Sequence, residues 1–201
     1  MTRIIAGQAK GRRLRTPPGG HTRPTTDRVR EALFSAVESW CGSLQGLRVL
    51  DLYAGSGAVG LEAWSRGAEA VTFVESDKAT AALVATNARD LGFAGADVRA
   101  ARVVNVLAAP PAAPYDVVFS DPPYPLSETD LADDLQRLAA GWLAPDALVV
   151  VERSRRSPQP TWPAGIQGDR DKRYGETTLW YGHAAPEQPP GPDAQPQGAS
   201  Q

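Results

Sequence analysis

The run Val118-Phe119-Ser120-Asp121-Pro122-Pro123-Tyr124 sets an acid and an aromatic around two prolines, residue types that could do chemistry together. Apolar residues from Tyr115 to Phe119 read as a buried strand, which meets an acid, two prolines and an aromatic. Proline has a fixed φ and no N–H to give to a sheet, so the strand must stop there and the loop must be stiff. The Asp121 carboxylate and the Pro122 carbonyl offer two neighbouring hydrogen-bond acceptors. Such a pair suits a planar exocyclic amine, whose lone pair is delocalised into its ring and whose N–H groups need partners as positive charge develops. Tyr124 adds a flat ring on which a base can stack and be held at a set distance. The competing explanation is a strand terminator with an incidental acid and ring.

A second stretch reads as a ligand loop. Val49-Leu50-Asp51-Leu52-Tyr53-Ala54-Gly55-Ser56-Gly57-Ala58-Val59-Gly60 is a strand, a glycine-rich turn and the start of a helix. Gly55 and Gly57 permit a sharp turn and close approach of a ligand, and Gly60 permits close helix–strand packing. The next strand ends in Glu75-Ser76, placing an acid where ribose hydroxyls are usually met. A nucleoside-type cofactor follows from the three together, with Tyr53, Ala54, Gly55, Ser56, Gly57, Glu75 and Ser76 around it. Asp51 stands just ahead of the glycines, where pyrophosphate would be repelled. A carboxylate there suits a ligand with a positive amine, which favours S-adenosylmethionine over a nicotinamide dinucleotide. Asp51 can also hold the turn through backbone N–H groups, and the two roles are compatible.

Both stretches need strand ends to carry them. From residue 47 the pattern alternates, with strands expected over 47–53, 70–75, 98–104, 115–120 and 147–152. Helices are expected over 59–66, 79–91 and 131–140. This βαβ alternation predicts a mostly parallel sheet covered by helices on both faces. In such a sheet, ligands bind beyond the carboxyl ends of the strands, where both stretches lie. Segments 168–174 and 177–182 read as a closing antiparallel hairpin. Before the sheet, Val29, Ala32, Leu33, Ala36, Val37 and Trp40 have helical spacing, with Thr25, Thr26 or Asp27 as cap. Residues 3–6 and 12–16 form a plausible small β-hairpin, too poor in apolar residues to stand alone.

Net charge is only −2, but residues 1–30 carry eight basic groups against one acid, Asp27. The remainder of the chain is correspondingly acidic, with a net charge of −9. A basic arm on an acidic body points to a polyanion met by one end of the protein. Arg3, Lys10, Arg12, Arg13, Arg15, Arg23, Arg28 and Arg30 are the expected phosphate contacts. A solvated terminus without a partner is the alternative for the arm. Cys41 is the sole cysteine, so no internal disulfide can form and no metal-binding cluster can be built on it. No stretch is long enough to span a membrane, and no apolar segment near Met1 reads as a signal peptide, so a cytoplasmic location is expected. Residues 184–201 are rich in Pro, Gln and Gly and are expected to be disordered.

These segments together resemble the RsmD family of class I S-adenosylmethionine-dependent methyltransferases. The resemblance rests on Arg3-Ile4-Ile5-Ala6-Gly7-Gln8, residues 23–34, the loop from Ala54 to Ala63, Asp121-Pro122-Pro123-Tyr124, and Lys172-Arg173-Tyr174-Gly175-Glu176-Thr177. It implies a Rossmann-like α/β fold with a seven-stranded, mostly parallel sheet whose last strand is antiparallel, plus a small N-terminal hairpin. It also implies methyl transfer to the N2 amine of a guanine in 16S ribosomal RNA, at position 966, by a single copy of the chain acting on the 30S subunit or an assembly intermediate. Asp51, Gly55 and Gly57 would lie near the methionine part of the cofactor and Glu75 on its ribose; the adenine contact has no clear match in the family pattern, and Asn105, just after the third strand, is the candidate for it. Asp121, Pro122 and Tyr124 would meet the target amine. The organisation expected is an arm over 1–22, a catalytic domain over 23–183 and a tail over 184–201. Methylation of a DNA amine, methylation of a protein glutamine, and a binding module with a vestigial cofactor fold are the alternatives. No second domain reads a duplex, a glutamine substrate leaves the arm unexplained, and intact Gly55, Gly57, Glu75 and Asp121 speak against a vestigial fold.

Overall fold

The computed structural model describes residues 2–17 and 26–185. At the N-terminus, β1 (Thr2–Arg3) and β2 (Arg13–Leu14) pair antiparallel over only two residues each. The expected longer ladder is cut short because the Ile5 and Ala6 N–H groups donate to the Glu62 carboxylate instead, at 2.7 and 2.9 Å. Helix α1 (Asp27–Cys41) is capped by Thr26, whose hydroxyl accepts from the Val29 N–H, and stops at Gly42 with φ 74. Its buried face presents Val29, Leu33, Phe34, Ala36 and Val37 to the sheet.

The alternation then unfolds as expected. β3 (Arg48–Leu52), α2 (Ala58–Ser65), β4 (Ala70–Glu75) and α3 (Lys78–Leu91) follow in turn. β5 (Asp97–Ala100) is shorter than its apolar run, because Val103–Val106 winds into a short helix, α4. Val103 and Leu107 lie one helical turn apart and both are buried, so packing overrides the strand preference of valine here. β6 (Tyr115–Ser120), α5 (Glu128–Ala139), β7 (Leu143–Ser154), β8 (Ile166–Tyr174) and β9 (Thr177–Ala184) complete the chain. Ser127 caps α5 by accepting from the Asp130 N–H, which starts that helix a turn earlier than its apolar spacing predicts.

The seven strands lie in the order β5-β4-β3-β6-β7-β9-β8, with β9 antiparallel to both neighbours. The final strand is thus inserted inside the sheet and β8 forms the edge. Two apolar layers cover the sheet. One joins α1, α2 and α3 to side chains such as Val49, Phe73 and Phe119, and the other joins α4 and α5 to Leu50, Val118 and Trp142. Consecutive strand residues therefore feed opposite layers. Gly60 shows how close this packing is, since a Cβ there would sit 2.3 Å from the Phe73 ring. Between β3 and β6 the strand order reverses direction, and the carboxyl ends of these two strands open side by side.

Candidate functional site

Beyond those strand ends lies a cleft of about 860 Å³. Its floor is the glycine loop. Leaving β3, Tyr53 takes a left-handed conformation, φ 60, and its hydroxyl donates to Asp134 on α5 at 2.5 Å. Burial and that partner raise the Tyr53 phenol well above its ordinary value, so it stays a donor. Gly55 and Gly57 follow with φ 54 and 76, and no atom lies within 4 Å of where a Gly55 Cβ would be. The loop is thereby open towards the cleft and closed towards the sheet.

Two acids brace this loop from beneath. Glu75, at the end of β4, accepts from the Gly55 N–H at 3.0 Å and from the Asp77 N–H at 2.8 Å. Asp51 accepts from the Gly60 N–H, in the first turn of α2, at 2.9 Å. Burial pushes the Asp51 carboxyl up to about 7; the Gly60 N–H opposes this and the Glu75 charge adds to it. The helix N-terminus favours the anion only partly.

Beside the loop, Asp121 stands just past the end of β6. Burial holds its carboxyl well above the usual carboxylate range, reinforced by the charges of Glu152 and Asp51 and opposed by Arg153. Pro122 is buried, while Tyr124 is 69% exposed at the rim. Arg153 is buried beside the cleft and ion-pairs with Glu128 on α5. The walls thus hold five carboxylates, Asp51, Glu75, Asp121, Glu152 and Glu176, along with Arg28, Arg153 and Arg173; burial raises Asp51 and Asp121, and the neighbouring carboxylates add to it. A cation relieves such a cluster and a pyrophosphate aggravates it. A ligand with an ammonium and a sulfonium therefore fits this cleft, and a dinucleotide does not.

The relatives agree with that geometry. The family model described as "Conserved hypothetical protein 95" matches residues 2–183. The protein is 40% identical over 179 residues to "Ribosomal RNA small subunit methyltransferase D" of Escherichia coli K12, covering 87% of this chain and 85% of that one. The protein of the same name from Haemophilus influenzae is 38% identical over 159 residues, covering 78% and 80%. The chain belongs to the RsmD family. Among solved structures, the Escherichia coli protein YhhF superposes with a TM-score of 0.80 at 35% identity, covering 91% of this chain and 97% of that one. At 18% identity and a TM-score of 0.61, an RNA methyltransferase from Salinibacter ruber, solved with S-adenosyl-L-homocysteine, shares the fold; the match covers 83% of this chain and 97% of that one.

In this RsmD-family chain, the expected cofactor residues Asp51, Tyr53, Ala54, Gly55, Ser56, Glu75 and Ser76 line the cleft, as do Asp121, Pro122 and Tyr124. Gly57 is buried as the N-cap of α2, where it shapes the loop from behind. Asn105 is not brought to the site: it is exposed on α4, because the chain turns helical after β5. Arg23 lies outside the described residues.

The basic arm is not a free arm. Its hairpin packs on α2, with the Ala9 N–H donating to the Ser65 hydroxyl at 2.9 Å and the Gln8 N–H to the Ser65 carbonyl at 2.8 Å. Arg30 is wholly buried: it donates to the Arg3 carbonyl and to Asp27, and faces Glu62 at 3.9 Å, so it cannot touch a phosphate. Its charge is matched by these acids rather than by an external anion. Arg3 pairs with Asp27 at 3.2 Å, Arg15 pairs with Asp90 at 3.2 Å, and Arg12 donates to the Asp90 carbonyl at 2.6 Å. All three remain exposed, as do Lys10, Arg13 and Arg28, and Arg28 also lines the cleft.

Sequence reasoning missed part of the rim. Thr2 and Thr16 from the hairpin, Glu152 and Arg153 from β7, and Arg173 and Glu176 from the β8–β9 turn all face the cleft. Glu152 had a legible signal, since it is an acid near the end of the strand that follows β6. The others depend on how the two hairpins fold over the strand ends.

Proposed function

We propose that the protein transfers the methyl group of S-adenosyl-L-methionine to the N2 amine of a guanine in 16S ribosomal RNA, leaving S-adenosyl-L-homocysteine. The observation that carries this reading is that the Asp121-Pro122-Pro123-Tyr124 rim lines the same acid-lined cleft as the glycine loop. The Escherichia coli and Haemophilus influenzae relatives named as small-subunit ribosomal RNA methyltransferases support the choice of RNA.

Asp51 would hold the ligand's ammonium, Glu75 its ribose hydroxyls, and the Gly55–Gly57 backbone its methionine portion. When bound, the cofactor supplies an electrophilic methyl group on a sulfonium. The protein's own work is to present the nucleophile. Tyr124 stacks the base, which must leave its helix to reach the cleft. Asp121 and the Pro122 carbonyl accept from the amine's two N–H groups and stabilise the charge that grows on nitrogen. Because its carboxyl is held well above the usual range, Asp121 is also a capable acceptor for the proton that the nitrogen must shed.

Arg3, Lys10, Arg12, Arg13, Arg15 and Arg28 would meet phosphates around the target. We read residues 1–22 as the RNA-facing segment, 23–183 as the catalytic domain and the rest as a tail; Ala184, expected in that tail, instead ends β9, and residues 186–201 and the junction over 18–25 lie outside the described residues. A single copy would act on the 30S subunit or its assembly intermediate, which implies a cytoplasmic location. Among the described residues no helix is long and apolar enough to cross a membrane.

The test is incubation with tritiated S-adenosylmethionine and small subunits lacking the modification, followed by nucleoside analysis. Tritium in N2-methylguanosine is expected. Asp121→Ala should lower kcat by about 1,000-fold, from combined loss of orientation and charge stabilisation, while S-adenosylhomocysteine affinity stays within about threefold. Substantial residual turnover would remove Asp121 from the mechanism.

A further inference from the structure

A base inside an RNA strand has a phosphate on each side, so a strand that delivers one nucleotide to the cleft crosses its mouth in two directions. The N-terminal arm covers only part of that path. Its hairpin is anchored on Ser65 and Asp90, in the last turns of α2 and α3, whereas the cleft lies where those helices begin. Arg12 and Arg15 are held there by Asp90. Among the described residues, Arg28 is the one basic group of the arm that lines the cleft.

A second concentration of positive charge stands elsewhere on the mouth. Beyond residue 30 the chain has 13 basic groups against 22 acidic ones, yet residues 153–157 and 170–177 hold six basic groups against two acids, Asp171 and Glu176. These segments adjoin: the Arg155 N–H donates to the Glu176 carbonyl at 2.8 Å. Arg153, Ser157, Arg173 and Gly175 bring them to the cleft wall. Arg155, Arg156, Lys172 and Arg173 are exposed. Among the described residues the first three form no ion pair, and Arg173 meets only Asp171, at 3.7 Å. A solvated strand accounts for Asp169 to Lys172, where signs alternate, but not for adjacent arginines on the loop after β7 or for Arg173 at the cleft. Cations crowded at one mouth repel each other, and a phosphodiester relieves that repulsion.

In strand order the two basic regions flank the cleft. α2 and α3 connect β3, β4 and β5 at one side of the sheet, and the β8–β9 turn belongs to the other. We propose that Arg155, Arg156 and Arg173 form a second phosphate-binding rim, which grips the ribosomal RNA strand on one side of the target nucleotide while the N-terminal hairpin meets it on the other. This rests on the reading of the cleft as an RNA methyl-transfer site. Contacts of this kind fix the path and register of the strand and leave the choice of base to the pocket.

The experiment measures binding of the full-length protein to small subunits lacking the modification, over a series of salt concentrations. The triple variant Arg155→Gln, Arg156→Gln, Arg173→Gln should bind about tenfold or more weakly at low salt, with the slope of log K against log salt lower by about two. The loss should appear in KM for the subunit and not in kcat, because these side chains meet the strand rather than the reacting atoms. S-adenosylhomocysteine affinity and melting temperature report that the variant is folded. If it is not, Arg155→Gln and Arg156→Gln made singly should each lower the slope by about one. Arg137→Gln removes an exposed charge from the last turn of α5, away from the cleft, and should leave slope and KM as they are. Wild-type affinity and slope in the rim variants overturn the assignment, and so does an equal loss per charge in Arg137→Gln. A loss seen on small subunits but absent on protein-free ribosomal RNA would give the rim a protein partner and also overturns it. No methylation of small subunits by the wild-type enzyme would instead overturn the underlying reading.

Discussion

Asp51 and Glu62 are both buried carboxylates bound up with α2, and the protein treats them in opposite ways. Glu62 sits in the seam between the N-terminal hairpin, α1 and α2. It accepts from the Ile5 and Ala6 N–H groups, pairs with Arg66 at 2.9 Å and faces Arg30 at 3.9 Å. Asp51 sits at the cleft, where it accepts from the Gly60 N–H and has Glu75 as a repelling neighbour. A charge that is matched on all sides holds elements together; a charge left beside other charges of its sign waits for a cation. The difference separates a structural acid from a binding one within a single helix length.

The largest expected effect comes from breaking the matched region. Glu62→Ala takes from Arg30 and Arg66 their shared buried acid, leaving them Asp27 and Glu38, and orphans two backbone N–H groups, a loss of about 3–5 kcal/mol. Urea unfolding should show this as a lower midpoint with an unchanged slope. A midpoint near wild type would mean the hairpin seam contributes little.

The cleft should respond to protons instead. A carboxyl raised in the folded state favours the folded protein while protonated, so the ligand-free protein loses that stability as pH rises from the ordinary carboxylate range to about 7 and Asp51 ionises. A cationic ligand reverses the preference, because it needs the carboxylate. S-adenosylhomocysteine, which keeps the ammonium, should therefore bind more weakly below pH 7, by up to about tenfold per pH unit, with proton release on binding. Calorimetry in buffers of different ionisation enthalpy measures both. Asp51→Asn should flatten this profile, and a profile that stays steep would move the titrating group elsewhere.

The smallest effect belongs to the exposed pairs. Arg15→Gln breaks an ion pair to Asp90 in which both side chains are largely open to solvent. Stability should change by no more than about 0.5 kcal/mol, while RNA binding weakens modestly and loses part of its salt dependence. A large stability loss would make Arg15 an anchor like Arg30.

The same contrast explains what was legible beforehand. The cofactor loop and the Asp121 turn announce themselves because glycine, proline and acid types are each demanded locally, by a turn or a strand end. The parallel core is legible from alternation alone. Arg30 looked like an RNA contact because sequence shows charge and not depth; only the Glu62 seam reveals it as internal. Asn105 was misplaced when Val103 and Leu107, compatible with a strand, were drawn by packing into a helical turn. Glu152 and Arg173 reach the cleft through strand register and hairpin folding, neither of which a linear reading contains.

β8 bears on how the protein meets other chains. It is the outermost strand, and between Gln167 and Arg173 every residue is exposed, with Asp169, Arg170, Asp171, Lys172 and Arg173 in succession. A row of unpaired backbone groups normally templates the strand of another chain, and alternating charges make that docking unfavourable. β9 fills the place between β7 and β8, so β7 has its neighbour on that side only once this last hairpin is in place. The charged outer edge of β8 thus keeps the completed sheet from being extended by a second chain.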